Sequence, residues 1–261
     1  MQSLSWRASL LGLSILGVAA ASGGRPTLAE GRPAAARPGA ITYYDGSGTV
    51  QGGERPLALA ISGRSLFGLL GGLPALDDAS KGGRVGGRAT RTGVTGSIYT
   101  PKNRRNGTVR GAFADGVLEG SYRLGALPEA TWSAAPVAPD ATAMSAVGGS
   151  YRAEGIPRPG EVTGSFNSAQ NTFSLLGTAR IGAGRLTILR VSGNWIADAN
   201  GNLFLLARQS RYNRVPGAPS LPFPLPRTGT VAKVNYRIVN NRLTLIDPQD
   251  PDDPLLELTR R

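Results

Sequence analysis

The chain predicts an all-β protein: an antiparallel, glycine-rich meander that curves strongly into a sheet or closes into a barrel, in one β unit or two. Three observations predict it. Turn dipeptides recur at Asp45-Gly46, Asn106-Gly107, Asp115-Gly116, Asn200-Gly201 and Asn240-Asn241, and each favours the positive-φ geometry of a tight hairpin. Between them the chain alternates with period two. Leu118, Gly120, Tyr122 and Leu124 share one face against Glu119, Ser121 and Arg123; Ala232, Val234, Tyr236 and Ile238 oppose Lys233, Asn235 and Arg237. This is the pattern of strands with one buried and one wet face. Third, a branched apolar residue is followed two positions on by Gly and two further by an aromatic or Ile. It occurs at Val94-Gly96-Ile98, Val109-Gly111-Phe113, Leu118-Gly120-Tyr122, Val147-Gly149-Tyr151, Val162-Gly164-Phe166 and Val191-Gly193-Trp195. Glycine inside a strand weakens it. Curvature is the reason to keep it there, because a missing side chain lets the sheet coil and a neighbouring aromatic can cover the gap.

The elements follow in order. Residues 1–21 carry Arg7, then the small and apolar run Ala8 to Ala21, ending in three alanines. That is a secretory signal with cleavage after Ala21 or, in a second register, after Ala29. The run spans about 21 Å as helix, short of the roughly 30 Å hydrocarbon core of a bilayer. Residues 22–40 (SGGRPTLAEGRPAAARPGA) lack periodicity and read as a flexible leader. A first β unit covers residues 41–124, with strands at 41–50, 57–62, 92–99, 107–114 and 117–124, and a short helix at 65–71 capped by Ser65. Residues 125–146 form an Ala/Pro-rich break, a linker between two units or a strap across one barrel, with Trp132 as a surface anchor. The second unit, 147–261, holds strands at 147–154, 161–167, 172–180, 185–193, 202–209, 229–239, 242–247 and 254–260. Strand 202–209 is apolar on both faces and is therefore central. Val94 to Val109 and Val147 to Val162 are both 15 residues apart, a hint of duplication.

The closing segment, Val234-Asn-Tyr-Arg-Ile-Val-Asn-Asn-Arg-Leu-Thr-Leu-Ile-Asp247 through Leu255-Leu-Glu-Leu-Thr259, resembles the last strands of small exported lipocalin-like or META-type β domains. The resemblance covers about 25 residues and implies a lipocalin-like barrel or, in the alternative, a sandwich. It implies no site.

Composition excludes much chemistry. The 261 residues contain no Cys and no His. Disulfides, thiolate or imidazole metal sites, cysteine nucleophiles and Ser-His-Asp catalysis are thereby ruled out. No G-x-S-x-G or S-x-x-K motif occurs, and no glycine-rich loop stands between a strand and a helix, so no cofactor is expected. Asp247, Asp250, Asp252 and Asp253 lie in a Pro-stiffened acidic hairpin; Asp198-Ala-Asn200-Gly201-Asn202 reads as an Asn-Gly hairpin, because an EF-hand would need Gly at the Leu203 position and Glu at the Gln209 position. Glu119 and Glu161 sit on polar strand faces.

The net charge of +12 comes from 29 Lys and Arg against 17 Asp and Glu, and Arg outnumbers Lys 26 to 3. Three basic segments stand out. Lys81 to Arg91 is a Gly/Arg loop, and Lys102-Asn-Arg104-Arg105 is a hairpin tip at the opposite end of the intervening strand. Arg208, Arg211 and Arg214 enclose Tyr212 and lead into the Pro-rich run 215–227, which should be extended backbone. Guanidinium forks take carboxylate, sulfate or phosphate bidentately, so Arg208, Arg211, Tyr212 and Arg214 form the candidate anion site. Its expected partners are anionic polysaccharide, lipid headgroups or an envelope protein. No nucleic-acid motif is present, and no apolar stretch after the signal is long enough to cross a membrane as a helix. Two functional readings stay open: an exported, non-enzymatic binding or structural component of the bacterial periplasm or cell envelope, and a carboxylate-dependent glycan-active enzyme.

Overall fold

The computed structural model describes residues 40–50, 53–154, 160–181, 184–213 and 226–261. The signal segment 1–21, the leader through residue 39 and most of the Pro-rich run lie outside the described residues. The rest is all-β and antiparallel, and it forms two closed eight-stranded barrels. The first runs β1 (Ile41–Val50), β2 (Gly53–Ser62), β3 (Ser65–Leu70), β4 (Gly83–Ala89), β5 (Gly93–Tyr99), β6 (Arg105–Ala114), β7 (Val117–Leu124) and β8 (Ala130–Val137). Each strand pairs with the next, and β8 returns to β1 from Tyr43↔Val137 to Gly48↔Trp132. A helix, α1 (Ala141–Val147), follows, with the Asp140 carboxylate accepting from the Ala143 amide at 2.7 Å. The second barrel is β9 (Gly149–Glu154), β10 (Gly160–Asn167), β11 (Thr172–Ile181), β12 (Gly184–Ala197), β13 (Asn202–Tyr212), β14 (Val231–Val239), β15 (Arg242–Asp247) and β16 (Asp250–Arg260). Among the described residues every strand of each barrel is paired on both sides, over part or all of its length.

Several expectations are corrected. Of residues 65–71, expected as helix, Ser65–Leu70 are strand and Gly71 begins the turn after it: Leu66, Gly68 and Leu70 turn into the first barrel while Phe67 and Leu69 face the second. A strand covered on both sides shows an unbroken apolar run, which periodicity cannot tell from a buried helix. The Gly/Arg segment is largely strand β4, with Val85 and Ala89 buried. The Ala/Pro-rich break supplies β8 and α1, and Trp132 is only 3% exposed, a core residue instead of a surface anchor. Asp45-Gly46 and Asn106-Gly107 run within β1 and β6, whereas Asp115, Asn240 and Asn241 have the positive φ of hairpin turns. Of the six glycine repeats, Val147-Gly149-Tyr151 is divided between α1 and β9.

The other repeats explain the curvature. The indole of Trp132 lies across Gly111 and Gly120, and its Nε1 donates to the carbonyls of Arg110 and Ser121, each at 3.1 Å. A Cβ on Gly111 would stand 2.5 Å from the Trp132 ring and 2.8 Å from the Glu119 carbonyl; one on Gly120 would stand 2.5 Å from the Gly111 Cα. Gly48, Trp132's partner on β1, would meet the Tyr122 ring at 2.5 Å. In the second barrel Trp195, fully buried, donates to the Thr172 carbonyl at 3.0 Å and meets Phe166 edge-on at 5.4 Å.

Each barrel has its own core, Leu57, Leu59, Ile98 and Leu118 in the first and Phe166, Trp195, Leu205 and Leu258 in the second. The outward residues Tyr43, Ala58, Ala60 and Leu69 of β1–β3 belong to the second cluster, so the barrels share an apolar seam. Tyr43 meets Phe204 across it at 6.2 Å. This gives β13 the two-sided burial expected of residues 202–209. The second barrel closes narrowly, through Thr259↔Arg152 and Arg260↔Tyr151. Charge reinforces the closure: Arg260 donates to the carbonyls of Ala146 and Gly148, and Glu161 binds Arg152 at 2.9 Å and Arg261 at 2.8 Å.

Gly120→Ala is expected to lower stability by about 2 kcal/mol or more, since its Cβ meets backbone that cannot step aside. Gly164→Ala, whose Cβ meets only the side-chain ends of Leu175 at 3.1 Å and Leu258 at 3.6 Å, is expected to lose less than about 1 kcal/mol. Urea titration of both variants checks the order. A second prediction concerns pH. Burial raises the phenol pKa of Tyr43, Tyr44, Tyr122 and Tyr236. In the unfolded chain they ionise near pH 10. Above about pH 10 the unfolded state therefore sheds protons that the fold retains, and stability falls with rising pH while staying intact below. Tyr43, the most deeply buried of the four, contributes most. With no His or Cys and only three Lys in the chain, urea midpoints at pH 9 and pH 11 read mainly this limb.

Candidate functional site

The strand register separates the predicted anion cluster. At the β12–β13 bulge the pairing passes from Ser192↔Gln209 to Gly193↔Ala207, leaving Arg208 as the extra residue. Its side chain, half-buried, turns to the seam. Nε donates to the Asn194 carboxamide oxygen at 3.1 Å, Nη2 donates to the Ser62 hydroxyl at 2.8 Å, and the guanidinium lies 5.0 Å over the Phe67 ring. Ser62 and Phe67 belong to the first barrel, so Arg208 is a tie between barrels. Nearby, Lys233 of β14 bonds Asp45 of β1 at 2.6 Å. The Tyr43 hydroxyl is buried there without a hydrogen-bond partner; burial drives its pKa up while the Arg208 charge opposes the rise. Arg211 is exposed opposite Arg190, and Tyr212 is 52% exposed opposite Leu189. Arg214 lies outside the described residues.

A different set of arginines shares one face. Cross-strand partners project to the same side of a sheet, and the outward rows of β4–β7 can be read from the register. One row is Arg88, Thr95, Arg110 and Ser121; the next is Gly86, Ser97, Thr108 and Arg123; the third brings Arg84, Tyr99 and Arg105 together. The Gly/Arg segment and the hairpin tip, expected at opposite ends of a strand, therefore meet at one of them. Arg84 donates to the Asn103 carboxamide oxygen at 2.8 Å and stacks 4.6 Å over Tyr99. Arg88 and Arg91 remain at the far end. Beside the tip, a surface hollow of about 330 Å³ is lined by Arg105, Asn106, Gly107, Thr108, Arg123 and Gly125. Arg110 is the ion-paired member of the face, bonding Glu129 at 2.8 Å and the Ser121 hydroxyl at 3.0 Å. Hydrogen bonding from Ser121 and Arg110, with the charges of Arg110 and Arg123, holds the Glu129 carboxyl below its ordinary range.

The carboxylates singled out in the sequence have local work. Asp198 accepts from the amides of Asn200 and Asn202, both at 2.9 Å, and from the Asn202 carboxamide at 2.7 Å, holding the β12–β13 hairpin. Asp247 accepts from the Gln249 amide at 2.9 Å in the last hairpin. Glu161 sits in the closure of the second barrel, and Glu119 is exposed on β7. Among the described residues no group of three or more acidic side chains is placed to hold a metal ion. Comparison with protein-family models, with curated proteins and with solved structures found no match.

The register missed by sequence reading had one visible trace: Arg123 alternates with Ser121 and Glu119 on a wet face. Arg208→Ala is expected to cost about 1–2 kcal/mol, from two hydrogen bonds and one cation–ring contact. Arg211→Ala is expected to stay within about 0.5 kcal/mol. Thermal unfolding of the two variants checks the contrast.

Proposed function

We propose that the protein is exported across a bacterial inner membrane and acts without catalysis, as a binding or structural component of the periplasm or cell envelope. Export rests on residues 1–21, whose basic start, apolar run and closing alanines suit a secretory signal. The binding role rests on one observation. Among the described residues the buried side chains of both barrels are apolar apart from Asp198, Thr230 and Thr244, and the outer faces carry exposed guanidinium groups that could meet a partner. An excess of positive charge draws anionic partners and speeds encounter with them. Anionic polysaccharide and lipid headgroups carry the complementary charge.

Expression of the full chain in a bacterial host, followed by fractionation and mass spectrometry of the mature N-terminus, tests export. The expected product is periplasmic or envelope-associated and begins at Ser22 or Glu30. An intact Met1 in the cytoplasmic fraction would overturn the reading.

A further inference from the structure

We infer that the outward face of β4–β7 on the first barrel is a docking surface for a linear anionic polysaccharide, with the hollow between Arg105 and Arg123 seating one charged sugar unit. The inference rests on the binding role proposed above and gives it a place and a ligand class.

Charge complementarity is the first argument. Arg84, Arg88, Arg105, Arg110 and Arg123 share this face, and Arg110 alone among them is ion-paired to a carboxylate, Glu129. The other acidic group on these outward rows is the exposed Glu119 of β7. Positive charge therefore prevails over the face. The spacing is the second argument. Neighbouring strands lie about 4.8 Å apart and residues on one face recur about every 6.7 Å. Arg88 and Arg110, two strands apart in one row, are thus separated at their backbones by about 10 Å. Arg123 stands one strand and two residues from Arg110, a diagonal step of about 8 Å. Such a band suits a chain that repeats its charge at intervals better than it suits one compact anion.

The chemistry between the arginines is the third argument. Thr95, Ser97, Thr108 and Ser121 alternate with them across the rows, a set of hydroxyls that can donate to and accept from sugar hydroxyls. The hollow adds the Asn106 carboxamide, and its lining includes Gly107 and Gly125. Its volume, about 330 Å³, lies at the small end of ligand sites.

The same observations disfavour a membrane surface. Binding in a lipid interface needs apolar area to bury along with charge. Among the described residues the large exposed apolar ones, Leu186, Tyr212 and Val239, all lie on the second barrel.

The test uses the full-length protein as secreted, with dextran sulfate and polygalacturonate as polysaccharide probes and phosphatidylcholine vesicles containing 30% phosphatidylglycerol as the lipid arm. Binding to at least one polysaccharide is expected at low salt, weakening as salt screens the charges. Arg105→Ser with Arg123→Ser is expected to weaken it tenfold or more. Arg190→Ser with Arg211→Ser, which removes the same charge from the second barrel, is expected to change it less than twofold. Circular dichroism verifies that each variant is folded. Equal losses in the two double variants would mean attraction to net charge alone and would overturn the site. Unchanged binding by the Arg105/Arg123 variant, or binding to vesicles and to neither polysaccharide, would overturn it too. Export is scored separately: a cytoplasmic chain with intact Met1 that still shows the Arg105/Arg123 dependence would remove the envelope reading and leave the site standing.

Discussion

Closing eight strands into a small barrel forces their inward faces together, and the close approach of backbone at positions without a side chain is what permits it here. The row from Gly48 through Trp132, Gly120 and Gly111 crosses four strands of the first barrel. The Trp132 indole lies across Gly111 and Gly120, the Tyr122 ring covers Gly48, and the indole N–H is shared by two backbone carbonyls that the bend turns toward it. The tryptophan therefore fills volume and satisfies polar groups together. That dual role suits an aromatic with a single donor. Closure then determines the rest. With the edge strands of each sheet paired and the described interior apolar, the outward side chains are the larger polar surface of the first barrel.

The two barrels are joined by the same economy of surface. β1, β2 and β3 spend their outward residues Tyr43, Ala58, Ala60 and Leu69 on the second barrel's core. Small residues on β2 let the sheets approach, and the rings of Tyr43 and Phe204 fill the remaining space. Around this apolar contact sit Arg208 with Ser62 and Lys233 with Asp45. Desolvation offsets much of the attraction in the half-buried Lys233–Asp45 pair, so that link adds little net stability, and Arg208 contributes about 1–2 kcal/mol through its hydrogen bonds and ring contact. Their value is also directional. A purely apolar seam tolerates sliding, whereas a fork held at Asn194 and Ser62 fixes one register.

Legibility followed burial asymmetry. Strands with one wet face, such as β7 and β14, were plain from alternation, and Asp115-Gly116 and Asn240-Asn241 marked true hairpins. β3 was misread because both its faces are covered. β4 was hidden because its inward positions include Gly83 and Gly87, which carry no apolar signal. β8 was hidden because its inward face is carried by Trp132 and Ala134 among alanine, serine and proline. The surroundings of the candidate site's arginines were illegible for a related reason. Arg208, Arg211 and Arg214 are close in sequence, yet a bulge and a strand end send Arg208 and Arg211 to different surroundings. Arg88 and Arg110 are distant in sequence and adjacent in a row, because β5 lies between them in register. Cross-strand register is a property of the closed sheet, and no local motif announces it.

The preponderance of arginine over lysine gains meaning once each fork is placed. Arg260 directs its donors at the carbonyls of Ala146 and Gly148 where the second barrel closes, and Arg261 shares Glu161 with Arg152. Arg208 stacks on one ring and donates in two directions. A planar group with five donors can do this, whereas an ammonium on a flexible stem holds such geometry poorly. Arg208 and Arg260 direct donors at neutral acceptors, and the Arg152 and Arg261 charges are met by Glu161. On β4–β7 the forks stand beside hydroxyls, and Glu129 meets one of them. The formal charge of +12 is therefore unevenly available: part of it is built into closure and seam, and part is exposed, on the outward face of the first barrel and at Arg190 and Arg211 of the second.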